Sequence, residues 1–414
     1  MRPMRILAIS PRFAPSNGAD MHRLRLLAVH AEAAGWQLEI LAVRPEDVDN
    51  PVDPWLVDRL PSSVMVHRVA ARASGGWGLN GLAQRSLLSL WRTGNHLLAT
   101  GRFDLVFFST TEFAMHLLGP LWRRRHGVPF CMDYQDPWVN DYYRRNPEVV
   151  PPGGRLKYAI ADRLHRVMEA WVVREAGGFL SVSADYLSDL SRRYGAGMAR
   201  RPSRVLSFPG EPAELLAFTD VQPDATSWRY IGRGGADMAK AARAFFLAWS
   251  AAGLSSVRFE AHGTAYSSQG AATLAPLAAD LPVAGWVSEQ PQRMGYSDLL
   301  RTLRASGALV VFGSDDPAYT ASKIYPYLLS GRPLLAIFHE RSSVVPLMRT
   351  VGGGVCVTFN ENTSVEALAL AICEQWFNAH AWQQPVPLDT ERFYPWTAQA
   401  QAHELAGWFR EILA

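Results

Sequence analysis

Residues 321–338 read ASKIYPYLLSGRPLLAIF: a Ser-Lys pair, a short helix-like run broken early by a proline, a Gly-Arg-Pro turn and an apolar strand. Proline lacks an N–H and its ring collides with the preceding turn, so a helix tolerates it only near its start. Pro326 therefore predicts that regular helix begins close to Tyr325, directly after Ser322 and Lys323. RPLLAIF is apolar on both faces, as a strand buried in a parallel sheet must be. The preceding ALVVFGS (308–314) has the same character. Two such strands joined through a helix make a βαβ unit, and Lys323 then stands beyond the carboxyl end of a strand. Backbone N–H groups, the Ser322 hydroxyl and the Lys323 charge could hold phosphate oxygens there. An ordinary capped helix with an exposed lysine fits the same letters.

Outward from this unit the pattern repeats along the whole chain. Toward the N-terminus, RILAIS, QLEILAV, VMVHRVA, DLVFFST, PFCMDYQD and GFLSVS are strand-length runs separated by amphipathic segments such as DMHRLRLLAVHAEAAG. Around RVLSFPGEPAELLAF the alternation pauses, with Pro209, Gly210 and Pro212 reading as a linker. It restarts with WRYIG, VRFEAHG and PVAGWV and ends with GGVCVTF, after which a Trp- and Ala-rich tail reads as helix. The expected fold class is α/β, two tandem doubly wound Rossmann-like domains. The expected divisions are residues 1–206, 207–388 and a closing helical segment 389–414. Ligands of such sheets bind beyond the carboxyl ends of the strands.

Composition narrows the function. A net charge of +3 on 414 residues gives no electrostatic footprint for nucleic acid. Cys131, Cys356 and Cys373 are odd in number and far apart, which argues against a disulfide framework or a zinc site and fits a reducing, cytoplasmic setting. No segment approaches the ~18 apolar residues of a membrane span. The basic run Arg123-Arg124-Arg125-His126 suits a helix C-terminus and would also suit peripheral contact with an anionic membrane surface.

Three further clusters carry chemistry-bearing residues. SPRFAPSNGADMHRLRLL (10–27) is a strand–loop–helix with Gly18 where backbone and ligand could approach. It is neither GxGxxG nor GxxxxGK[ST], so neither NAD nor P-loop chemistry is supported. PFCMDYQDPW (129–138) ends a strand in Asp133, Gln135 and Asp136, polar residues expected to face a ligand. Asp136 either handles a proton or a sugar hydroxyl, or caps the following turn; both readings stand. Trp138 offers a flat face for a sugar ring. YIGRGGADMAKAARAFF (230–246) runs a strand into a glycine cluster with Arg233 and Lys240, a fork and a point charge suited to a diphosphate. His262 and Gly263 follow a strand, and Trp286, Tyr319 and Thr320 are further candidates for the same ligand.

In order and content these segments resemble the GT-B glycosyltransferases, nearest to the retaining family 4 type, over nearly the whole chain. RILAISPRFAPSNGADMHRLRLL is similar to that family's opening strand, loop and helix. YIGRGGADMAKAARAF is similar to its Gly-Arg…Lys diphosphate clamp, and SKIYPYLLSGRPLLAIF to its SK-hydrophobic-x-E-Y segment. The resemblance implies a closing helix that crosses back to the first domain. It implies a hexosyltransferase-like enzyme (EC 2.4 class) that takes a nucleotide-diphosphate sugar, with no required cofactor or divalent metal. The acceptor would be a sugar, a lipid carrier or a small molecule. Asp136 and Gln135 would be catalytic. Gly18, Arg233, Lys240, His262, Gly263, Trp286, Tyr319, Thr320, Ser322 and Lys323 would bind the donor. Four departures accompany it. Pro326 stands where the family has a ribose-binding glutamate, and Ala318 where it has that residue's partner. Gln135 replaces a histidine, and the Arg233–Lys240 spacing is one residue longer. These departures leave an alternative, a weak or inactive GT-B protein that binds a nucleotide sugar or partners an active transferase.

Overall fold

The computed structural model describes residues 2–73, 81–139, 144, 154–198, 200–265, 270–317 and 319–414. Ala318 lies outside them. Two compact units result, one of residues 1–207 with 398–414 and one of residues 208–397.

The first unit is built on a seven-stranded parallel sheet. Its strands are β1 (Met4–Ile9), β2 (Trp36–Val43), β3 (Met65–Val69), β4 (Leu105–Ser109), β5 (Phe130–Tyr134), β6 (Gly178–Ser181) and β7 (Ser203–Val205), in the order β3-β2-β1-β4-β5-β6-β7. Every residue of β4, β5 and β6 is buried, which is why those runs carry no polar alternation. The final helix, Ala398–Leu413, packs on this sheet through Phe409, whose ring lies 5.5 Å from those of Trp36 and Phe107. The Trp36 and Trp408 indoles donate to the carbonyls of Ala402 and Pro202, so burying them leaves no orphan donor.

The second unit has six parallel strands: β8 (Asp224–Ile231), β9 (Arg258–His262), β10 (Val287–Gln290), β11 (Ser306–Phe312), β12 (Leu334–His339) and β13 (Val355–Phe359), in the order β10-β9-β8-β11-β12-β13. Its core is aromatic. Phe245, on the helix Ala239–Ala252, meets Trp228, Phe259, Phe312 and Phe377. In both units the strand order reverses beside the first strand, β1 or β8, which is where loops part and a ligand crevice forms.

Several local expectations shift. The supposed linker holds β7, too short to show a period. PVAGWV is mostly a 3-10 turn, Pro282–Trp286, with β10 starting after it. The tail is not one helix. Pro395, which cannot donate, sits in a 3-10 turn (Tyr394–Trp396) between the helices Thr390–Phe393 and Ala398–Leu413, and residues 389–397 stay with the second unit.

Candidate active site

In the second unit, β8 ends at Ile231 and the chain turns through Gly232-Arg233-Gly234-Gly235. The Gly232 N–H donates to the His262 carbonyl at 2.9 Å. Gly232 has φ +153°, and a Cβ there would lie 2.6 Å from Lys323 Nζ. Glycine thus lets the lysine ammonium rest directly against the end of the strand. Lys323 Nζ donates to Tyr230 Oη, lies 4.4 Å from the centre of that ring, and Tyr230 Oη donates on to the Arg233 carbonyl. A second tyrosine fixes the other side. Tyr327 Oη accepts from the Ile231 N–H and donates to the Ile231 carbonyl at 3.0 Å. The helix Ile324–Leu329 is thereby tied to β8, with Lys323 immediately before it and Pro326 in its first turn. Burial lowers the Lys323 pKa to about 7; the Arg233 charge adds to this and Asp237 opposes it. A charge held so close to neutrality is one that an incoming anion would restore.

Arg233 forms a fork to Asp237, at 2.9 and 2.7 Å, and its guanidinium lies 4.6 Å from the centre of the Tyr319 ring. Burial works to raise Asp237, but its bonds to Arg233 and Ser314 outweigh that and hold it below the usual carboxylate range. Lys240 Nζ donates to the Asn360 carbonyl at 2.9 Å and sits 5.5 Å from the Phe359 ring centre. The Asp315 N–H bonds the Asp237 carbonyl at 2.8 Å, and burial, then Asp237 and Asp316, raise the Asp315 carboxyl. The cations expected as a clamp therefore each hold an oxygen of the chain. Ser322 is exposed, while Tyr319 and Thr320 are half-buried.

His262 ends β9 on the face that carries Glu260, 3.7 Å away. Burial lowers its pKa against the Glu260 charge, so the ring is neutral at neutral pH. The Gly263 N–H donates to Gln290, and Glu289 accepts from the Thr264 hydroxyl and from the amides of Thr273, Leu274 and Ala275. One carboxylate thus ties the loop after β9 to β10. Trp286 is a correction. It precedes β10 and packs 6.3 Å from Trp249, near the C-terminal end of the helix Ala239–Ala252. That is the amino end of the parallel strands. A four-residue strand at ~3.3 Å per residue separates it from the carboxyl end where Lys323 lies.

In the first unit the carboxyl ends of β1, β4 and β5 enclose a buried polar network. Arg23 and Asp133 are both fully buried and pair at 3.0 Å. Asp133 also accepts from Ser109 and from Gln135. Burial raises the Asp133 carboxyl, and Arg23 opposes the shift. Gln135 Nε2 further donates to the Asp20 carbonyl at 3.0 Å, and the Asp20 carboxylate accepts from Thr110 and Thr111. Arg12 reaches Asp20 at 3.6 Å and pairs with Glu112. Gly18 belongs here: a Cβ on it would come 3.0 Å from Arg12 Cβ. Gln135 is thus a buried brace, and Asp136 beside it is exposed. Trp138 does not offer a face to a sugar. It is 4% exposed and stacks on Phe113, with ring centres 5.7 Å apart.

Sequence reasoning missed Tyr230, Asp237 and Arg23, and it took Asp133 for a strand-end residue facing a ligand, where the structure buries it against Arg23. Tyr230 reads as an ordinary β-former, and its polar tip matters only because Lys323 meets it. Arg23 and Asp133 left a signal, charged residues within otherwise apolar runs, whose pairing only the fold supplies.

Residues 22–209 match the family model described as a glycosyl transferase 4-like domain. No curated protein is similar in sequence. Among solved structures, a glycosyltransferase from Rickettsia africae ESF-5 superposes with TM-score 0.60 at 13% identity, over 100% of this chain and 99% of that one. HepE of Anabaena, solved with UDP-glucose, gives 0.59 at 12% identity over 98% of each chain. The α,α-trehalose 6-phosphate synthase of Burkholderia multivorans gives 0.60 at 11% identity over 99% of this chain and 97% of that one. The chain has the GT-B fold, and it resembles the GT-B glycosyltransferases of the family 4 type in sequence over residues 22–209 and in fold over its length.

Proposed function

We propose that this chain is a glycosyltransferase that moves a sugar from a nucleotide-diphosphate sugar to an acceptor hydroxyl, with retention and without a divalent metal. The observation that carries the reading is Lys323. Its ammonium lies against Gly232 at the point where strand order reverses, with Arg233 close enough to lower its pKa. The donor diphosphate would exchange Tyr230 for its own oxygens at Lys323, and draw Arg233 from Asp237. As the sugar–phosphate bond breaks, negative charge grows on the leaving diphosphate, and preplaced cations stabilise that charge more than they stabilise the ground state. The leaving phosphate oxygen would accept the acceptor's proton, so no separate base is needed. The acceptor side falls to the first unit, with Asp136 as the exposed carboxylate beside the Gln135 brace. With Pro326 where the family's ribose-binding glutamate stands, Asp315 or Asp316 would take the ribose.

UDP-sugars are the first donors to try, because HepE was solved with UDP-glucose. The test is a thermal-shift panel of UDP, GDP, dTDP and ADP with their common sugars, on wild type and Lys323→Ala. A ligand at ~100 times its dissociation constant adds ~2.7 kcal/mol of stability. A shift with one base that Lys323→Ala abolishes supports the reading, and sugar transfer in EDTA then tests metal independence. No shift with any nucleotide overturns it.

A further inference from the structure

We propose that Glu169 and Arg193 are positioning residues of the acceptor side: together they grip the backbone of Val139 and thereby fix the turn that presents Asp136. The proposal rests on the reading of Asp136 as the acceptor-side carboxylate. Of residues 133–139 only Asp136 is exposed and Pro137 half-buried; the other five are buried. The segment is pinned on both flanks of that carboxylate. Before it, the Gln135 amide donates to the Asp20 carbonyl, to Ser109 and to Asp133. After it, the Trp138 ring stacks on Phe113 and lies 5.6 Å from the His116 ring. Val139 is then held by both of its backbone groups. Its N–H donates to the Glu169 carboxylate, and its carbonyl accepts from Arg193 Nη1 at 3.0 Å.

The two grips come from different helices. Glu169 lies on the helix Arg155–Glu175 with its side chain fully buried, and Arg193 lies on the helix Ala184–Met198. Arg193 Nη2 stands 3.7 Å from Glu169 Oε2. The second helix leaves helical geometry at Tyr194, with φ −130° and ψ 23°. Adjacent side chains on a regular helix diverge by about 100°. The break lets the neighbours Arg193 and Tyr194 meet one carboxylate, to which the Tyr194 hydroxyl donates at 2.9 Å. Tyr134, the last residue of β5, donates to its other oxygen at 3.4 Å. Stability does not account for this arrangement. Burial raises the Glu169 carboxyl and Arg193 opposes the shift. A buried ion pair recovers little beyond the cost of taking its charges out of water, and a well-packed apolar pair often does as well. An apolar pair cannot bond the N–H and the carbonyl of one buried residue, which these two side chains do.

Hydrogen exchange and kinetics test it together. In Glu169→Ala and in Arg193→Met, amide exchange in peptic peptides spanning residues 131–139 should quicken by roughly tenfold or more, with β1 and β4 unchanged. Release of UDP from UDP-glucose should lose ~10–100-fold in kcat with KM for UDP-glucose unchanged, because the turn is misplaced while the donor stays held in the second unit. Glu169→Gln keeps an oxygen for the Val139 N–H and should recover kcat to within about fivefold of wild type. Tyr194→Phe removes a bond to Glu169 and none to Val139. Its unfolding midpoint should fall, while exchange at 131–139 and kcat stay as in wild type. If Glu169→Ala does not fold, Arg193→Met, at a side chain 14% exposed, carries the same test. Exchange at 131–139 that matches wild type in these variants, or that rises equally in β1 and β4, overturns the proposal. So does a loss of kcat in Tyr194→Phe as large as that in Glu169→Ala. The exchange arm uses no substrate, so an absence of UDP release by wild type fails the donor reading alone.

Discussion

Replacing Lys323 by methionine should remove the donor diphosphate's main charge partner and with it the pH dependence of binding. In the free protein the lysine pKa is about 7, against 10.5 for an ordinary lysine, chiefly through burial. A bound diphosphate would return it toward the ordinary value, so binding above pH 7 must bring a proton with it. The free lysine is then protonated in only about one molecule in four at pH 7.5 and one in a hundred at pH 9. The affinity of wild type for UDP should therefore fall by about twentyfold, ~1.8 kcal/mol, over that interval. The nucleotide's own phosphates stay ionised throughout. Titration calorimetry in two buffers of different ionisation heat should register uptake of close to one proton at pH 8.5. Lys323→Met should bind weakly with a flat profile. A wild-type affinity unchanged from pH 7.5 to 9, with no buffer-dependent heat, would refute the argument.

The same lysine has a stability consequence of opposite sign. Its folded pKa lies below its unfolded one, so the unfolded chain holds more protons between pH 7 and 10.5, and without ligand stability should rise across that window. Lys323→Met should remove this slope and raise the unfolding midpoint at pH 6. Gly232→Ala puts a methyl 2.6 Å from Lys323 Nζ; at a strain of about 1–3 kcal/mol, UDP affinity should drop by roughly 10–100-fold in a titration. Asp133→Ala leaves Arg23 buried without its carboxylate, and urea unfolding should show a loss of ~3–5 kcal/mol. Trp286→Ala should leave the UDP dissociation constant unchanged, since that ring lies at the amino end of the sheet.

The sheets were legible because burial on two faces leaves no choice of residue. ALVVFGS and RPLLAIF could be little else, and the glycine cluster after WRYIG announced a turn at a strand end. Pro326 placed a helix start to within a residue. What stayed hidden depends on partners remote in sequence. Lys323 and Tyr230 are 93 positions apart, and Arg23 and Asp133 are 110 apart, so no local pattern pairs them. Trp286 was misjudged for a related reason. A strand's amino and carboxyl ends look alike in composition, and the ligand end is known only once the turn Pro282–Trp286 is seen to precede β10. Trp138 was misjudged because an aromatic ring serves a core and a sugar equally well, and Phe113 claims its face.

The way the cations of the second unit are held bears on what can compete for the site. Arg233 holds Asp237, Lys240 holds the Asn360 carbonyl and Lys323 holds the Tyr230 hydroxyl, so an arriving anion meets occupied hands. It gains only the difference between its own oxygens and those it displaces. Inorganic phosphate can replace one partner and gains little. A diphosphate bridging two positions replaces two at the entropic cost of a single binding event. On the proposed donor reading, the site would thereby discriminate by the length of the phosphate chain, without a side chain dedicated to measuring it.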